Sequence, residues 1–376
     1  MFLLAVNVAT QRILIIGAGP AGCIAAIALI RAGFDVTLIE QHRFPRDKVC
    51  GECLSRLGIA VLQSLKLDEV IFETVSPVEL RRSVFFTSDG GRLEVKLPAY
   101  MWGISRKMMD SILLDHARQS CTVLQPARCE KIDSNAMDCT VTVRDLTSNR
   151  ASTLAGDWVL LADGKNALTH AKPPSTGDFG VKSHWSDVDA PRDAIELFGV
   201  NGHYGGIAPI EGGRFNLSFS IPAARINASR GDLDALFADV SQENVELARQ
   251  LRRARRVGAW QASPLPRFGV SVNWPRRVIP LGNAAAAVEP IGGEGMGLAM
   301  RSAQLVADEL IAARNDRRDI NTDLLRRQFR SLWNPRRIAC RLAAGVISRP
   351  AVAAPALELL NFAPTLTAGV MKWIGK

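Results

Sequence analysis

The chain has only two tyrosines, five histidines and seven cysteines in 376 residues, and each shortage removes a class of function. An odd number of cysteines at irregular spacing in a long chain argues against a disulfide framework and for a reducing, cytoplasmic compartment. Cys121, Cys129 and Cys139 lack a second pair at zinc-binding spacing, and the histidines are scattered, so no metal site is expected. No Ser-His-Asp arrangement can be argued from spacing. The start, MFLLAVNVATQR, has neither a basic first region nor a small-residue cleavage site, so it does not read as a signal peptide. Long uninterrupted apolar runs are missing too. Ile13 to Ile30 is uncharged for eighteen residues, but Gly17, Gly19, Pro20 and Gly22 interrupt it. The C-terminal stretch RPAVAAPALELLNFAPTLTAGVMKWIGK is broken by Pro350, Pro355 and Pro364, carries Glu358, and reads as short packed helices.

What is present bounds the answer further. The length supports a large core in two or three domains, or one interleaved pair. Net charge is +9 and the sequence pI about 9.5, so an anionic cofactor, an acidic protein partner or peripheral contact with an anionic membrane would suit the surface. The densest basic run, RQLRRARR, lies at the end of a helix expected over 231–256. No aromatic interleaving or nucleic-acid module accompanies it, so it reads as a solvated face, and nucleic acid is excluded as the main ligand.

The first segment carries the clearest chemistry. RILIIGAGPAGCIAAIALIRAGFDVTLIEQ predicts an apolar strand, a turn through Gly17-x-Gly19-Pro20-Ala21-Gly22, an apolar helix ended by Gly33, and a second strand ending at Glu40. In such a turn the first glycine permits the bend, the second lets backbone approach a pyrophosphate, and the third lets helix and strand pack closely. The helix N-terminus offers N–H groups and a positive dipole end to phosphates. Glu40, eighteen residues past Gly22 and followed by Gln41, is placed to accept hydrogen bonds from a ribose diol. The pattern predicts dinucleotide binding. No second GxGxxG follows a strand, so no separate NAD(P)H domain is visible.

Two later segments extend it. DWVLLADGKNA (157–167) is an apolar strand ending at Asp163-Gly164. RRVIPLGNAAAAVEPIGGEGMGLAMRSAQLVADEL (276–310) is a strand, a Gly-Asn turn, a Pro-Gly-rich loop and a long helix. Together with the fingerprint they resemble the three flavin-contact segments of the glutathione-reductase-type FAD fold, as in single-component aromatic hydroxylases, geranylgeranyl reductases and flavin-dependent halogenases. The resemblance implies an α/β fold: a Rossmann-type FAD-binding domain (1–77, 103–175 and 274–335) interleaved with an antiparallel-sheet substrate domain (78–102 and 176–273), plus a C-terminal helical segment (336–376). FAD is the implied cofactor. Asn283 would meet the ribityl chain and pyrophosphate where the family usually has Asp. Pro290, Gly293, Gly295 and Met296 would lie under the ring, with N–H groups facing the flavin N1–C2=O edge. Arg106, opening the helix expected in WGISRKMMDSILLDHARQ, would reach the pyrophosphate or the flavin edge. CTVLQPARCEKI would pass the adenine with the backbone of Arg128.

Hairpins are expected in VELRRSVFFTSDGGRLEVKL (78–97) and HYGGIAPIEGGRFNLSFSI (203–221), forming a sheet over the flavin. The second lies where flavin halogenases carry a WxWxIP segment, so halogenation is not expected. Two enzyme classes fit. The favoured one is a monooxygenase hydroxylating an aromatic or electron-rich substrate through a flavin C4a-hydroperoxide, with NADH or NADPH as transient donor. The other is a double-bond reductase of the geranylgeranyl-reductase kind, and a non-catalytic FAD-holding protein is a third reading. The substrate would be a small molecule, lipid-like, or bound to a peptide or carrier.

One stretch connects these readings, PRDKVCGECL. Geranylgeranyl reductases carry a Cys-Gly after the second strand, which implies Cys50 beside the isoalloxazine ring, with Gly51 allowing close approach. Cys50 is therefore the candidate catalytic residue, and Arg46 and Lys48 should attract FAD phosphates and favour its thiolate. Cys53 should turn toward the core if a helix begins there.

Overall fold

Five parallel strands form the inner layer, in the order Val278–Pro280, Trp158–Leu161, Arg12–Ile16, Asp35–Ile39, Thr122–Leu124. Four of the five residues of Arg12–Ile16 are buried, as expected of a parallel strand covered on both faces. The computed structural model describes residues 10–165, 168, 177–271, 273–363 and 369. On one face of the sheet pack the helices Pro20–Arg31, Arg106–Arg118 and Gly295–Asn315. On the other lies a three-stranded antiparallel sheet, 127–134, 139–145 and 151–156. Residues 13–30 thus form strand, turn and helix, and among the described residues no single helix is long and apolar enough to cross a membrane.

The second layer is a sheet of nine described strands built on both expected hairpins. Val78–Phe86 pairs antiparallel with Arg92–Gly103, and His203–Pro209 with Phe215–Pro222 around a short turn at Glu211–Gly213. The fold is the expected α/β type with two kinds of sheet.

Four sequence expectations need correction. The segment 231–256 is not one helix: Leu233–Gln242 and Val245–Leu251 are separate, because Asn244 caps the second through Leu247 N–H. Arg255–Arg256 then joins the sheet edge beside Trp185 and Ser186. Cys53–Leu54 forms a short strand against Trp102 and Gly103, so the nine-stranded sheet extends into 1–77 and no helix starts before Arg56. The expected boundary at 335/336 falls inside one helix, Thr322–Ile347, whose buried Leu325, Phe329, Trp333, Cys340, Ala344 and Ile347 continue across Pro335. Pro355 likewise sits inside the helix Pro350–Phe362 instead of breaking it, while Pro364 lies outside the described residues.

Candidate flavin site

The glycine turn opens the site. Gly17 has φ +101°, a conformation L side chains avoid, and a Cβ there would lie 2.5 Å from the Ala162 carbonyl oxygen. A Cβ on Gly22 would sit 1.9 Å from the Gly17 oxygen, so this glycine keeps the turn against the helix. Gly22 lines neither cavity described below and acts from behind. Glu40 is buried and accepts from Ala18 N–H (2.8 Å) and His42 N–H (2.7 Å), which ties the turn to the end of the second strand.

A cavity of about 990 Å³ runs along this edge past Gly17, Gly19, Glu40, Gln41, Arg128 and Asp163, with Arg43, Arg46, Lys48 and Lys165 supplying positive charge. A second, of about 250 Å³, is lined by Pro20, Ala21, Cys50, Arg106, Gly164 and Asn283, and further by Pro290, Gly293, Gly295 and Met296. The two share Gly19, Lys48, Val49 and Ala162. A basic groove joined at a glycine turn to a mostly apolar pocket under a helix N-terminus suits an adenosine, a pyrophosphate and a ring in that order. The residues present fit FAD.

Electrostatics supports the same assignment. Lys48 is pushed down to about 8, first by burial and then by the charges of Arg106 and Arg46. Burial likewise lowers Lys165 to about 8. Arg46, Lys48 and Arg106 share Asp110 as a neighbouring anion, and a pyrophosphate would offset the remaining positive charge. Arg106 is buried and bidentate to Asp110 (2.7 and 2.6 Å), which also lies 3.7 Å from Arg46. Burial alone would lower Arg106, but Asp110, and then Cys50, hold it above its ordinary value.

The loop carrying Cys50 is pinned by a cluster that sequence reasoning missed. Asn216 Nδ2 donates to the Cys50 carbonyl (3.1 Å), and Glu52 N–H approaches Cys50 Sγ (3.4 Å). Glu52 is fully buried at φ +57° and meets Lys182 Nζ (2.5 Å), His184 Nε2 (2.6 Å) and Arg106 N–H (2.9 Å). Burial would raise its carboxyl, but the His184 hydrogen bond and the Lys182 charge hold it below its ordinary value. Asp47, Glu52 and His184 could ligate a cation, their atoms lying within 4.8 Å of one another, yet Lys182 already supplies the positive charge there. The available signal was Lys182-x-His184 in a strand that also carries Phe179, Val181 and Trp185, where residues two apart share a face.

Cys53 is buried, but on a strand, and it lines the ring pocket with Cys50. Tyr204 lines the pocket as well, donating to Glu289 Oε1 (2.8 Å). Burial raises both, Glu289 above the ordinary carboxylate range and Tyr204 well above its usual value. At Gly205 an added Cβ would lie 2.1 Å from the Phe219 ring, so this strand has no room for a tryptophan at that position. The basic run stays at the surface, with Arg249 paired to Asp189, Arg255 to Asp187 and Arg256 to Asp234.

Fold and site together define a flavoprotein oxidoreductase. The chain belongs to the FAD binding domain family, whose profile matches residues 10–322. Among curated proteins it is 27% identical to a menaquinone reductase of Mycobacterium tuberculosis, covering 79% of this chain and 76% of that one. It is 27% identical to a kynurenine 3-monooxygenase of Stenotrophomonas maltophilia, covering 81% and 73%. Among solved structures, a flavin-dependent brominase shares the fold at 18% identity, with a TM-score of 0.79 over 97% of this chain and 93% of that one.

Proposed function

We propose that the protein is an FAD-dependent reductase of carbon–carbon double bonds in an apolar, lipid-like substrate, with NADH or NADPH as transient donor. The observation that carries this reading is the pair of thiols, Cys50 and Cys53, lining the ring pocket. Oxygen activated at such a place would oxidise an accessible thiol. Saturation of a double bond makes no such demand. The resemblance to menaquinone reductase over most of both chains favours the same side.

FAD bound here supplies a two-electron carrier able to deliver a hydride. The chain's own residues do the rest. Ile195, Leu197, Ile207 and Val288 make the pocket wall apolar and exclude water. The net reaction adds a hydride to one alkene carbon and a proton to the other, while NAD(P)H becomes NAD(P)⁺. The Tyr204 Oη–Glu289 Oε1 pair holds a proton at the pocket wall. Cys50, held by Asn216 and Glu52, lines the pocket that would take the ring.

Hydroxylation, the class favoured from sequence, is the second reading, supported by the likeness to kynurenine 3-monooxygenase and by the shielded pocket. The separating experiment is anaerobic turnover of an isoprenoid substrate with NAD(P)H. Saturated product formed without oxygen is expected. Labelled oxygen appearing in product under air, with no anaerobic turnover, would make the hydroxylase reading correct.

A further inference from the structure

The two last described helices, Thr322–Ile347 and Pro350–Phe362, meet at a bend of 113°. The inner face of the longer one is fixed by Leu325, Phe329 and Trp333, so only its outer face is available to a partner. That outer face is apolar where a soluble surface would be polar. On it Ile338 is 50% exposed and Leu342 60%, and on the shorter helix Leu359 is 60% and Phe362 88% exposed. Arginines share the longer helix with Ile338 and Leu342, and Arg349 stands at the bend. Residues 324–363 contain seven arginines and a single acid, Glu358. Arg327, Arg330, Arg341 and Arg349 are exposed and take part in no ion pair among the described residues. Positions 327, 330, 338, 341 and 342 fall on one side of a helix of 3.6 residues per turn, so charge and apolar bulk share a face.

A cavity of about 540 Å³ opens beside this face between Arg341, Leu342 and Arg349. Tyr204 and Ser220 line both this cavity and the ring pocket, so the Tyr204–Glu289 pair stands in the wall between them.

We propose that this bent helix pair docks flat on an anionic lipid bilayer surface, its apolar side chains entering the interface and its arginines meeting the headgroups. Exposed apolar bulk flanked by arginine, with almost no acid, matches an anionic interface better than a neutral one. The fixed inner face makes this contact a peripheral one. The mouth of the 540 Å³ cavity then lies at the bilayer, a consequence that rests on the lipid-like substrate proposed above.

The test is sedimentation of the FAD-loaded protein with phosphatidylcholine vesicles, with and without phosphatidylglycerol. Binding to the anionic vesicles that falls with added salt is expected, with little binding to the neutral ones. Leu342→Asp and Phe362→Asp should each lower it at least tenfold, and Arg341→Glu with Arg349→Glu should do the same. Met137→Asp is the control, since Met137 is 78% exposed on the turn between the strands 127–134 and 139–145. Retained FAD in each variant establishes that the chain is folded. No vesicle binding, equal binding to both vesicle types, or binding unchanged by the helix variants would overturn the proposal. The assay needs no turnover, so failure of the reductase assay and failure of vesicle binding are separate results.

Discussion

Glu52 is the residue on which the ring-side loop depends. It is a non-glycine residue at positive φ, and its carboxylate is the anion for a buried lysine and histidine. Glu52→Ala would leave Lys182 buried without a counter-charge, a change that costs roughly 3–5 kcal/mol. Denaturant unfolding should register that loss, and an unchanged midpoint would remove Glu52 from the account. Because its folded pKa is lowered from 4.5, its stabilisation is complete above about pH 4.5 and is lost as pH falls below it. Lys48 gives the opposite kind of linkage. Phosphates favour its ammonium form, so above pH about 8 cofactor binding must add a proton to the chain. FAD affinity should weaken by up to about tenfold per pH unit above that point. Lys48→Arg should flatten the profile, and a flat profile in the wild-type protein would place Lys48 away from the phosphates. Cys50→Ser should keep FAD and lose most turnover, whereas Cys53→Ser should lose little.

At the level of elements, close backbone approaches hold the site open. Gly297, in the first turn of the long helix, faces Gly58, and a Cβ on Gly297 would sit 2.2 Å from Ser55 Oγ and 2.9 Å from Gly58 N. Gly22→Ala is the sharper test, because its Cβ would strike a carbonyl that cannot move without reshaping the turn. Overpacking there should cost roughly 1–3 kcal/mol and abolish FAD retention. Retention equal to wild type would show that the turn can open. The strand–turn–helix units were legible in the sequence, since apolar runs, glycines and a terminal acid lie within thirty or so neighbouring residues. What was not legible depends on distant pairing. Nothing near Glu52 announces that Lys182, a hundred and thirty residues on, will be buried against it. The Cys53–Leu54 strand exists only because Trp102 and Gly103 offer an edge. The continuous helix through Pro335 is set by the apolar face that it buries, which outweighs the local proline signal.

For the whole molecule, the parallel sheet supplies the charged groove and the nine-stranded sheet supplies the apolar wall. The ring pocket is where they meet. That arrangement rests on one orientation of the cofactor, with the adenine toward Arg128 and the ring beneath Cys50-Gly51. A crystal structure of the FAD-loaded protein tests it most directly. The account predicts the isoalloxazine ring in the 250 Å³ pocket, between the Cys50 loop and the Gly293–Met296 turn, with the pyrophosphate against Gly19 and Lys48. A ring bound elsewhere, or a protein that takes up no FAD, would contradict it.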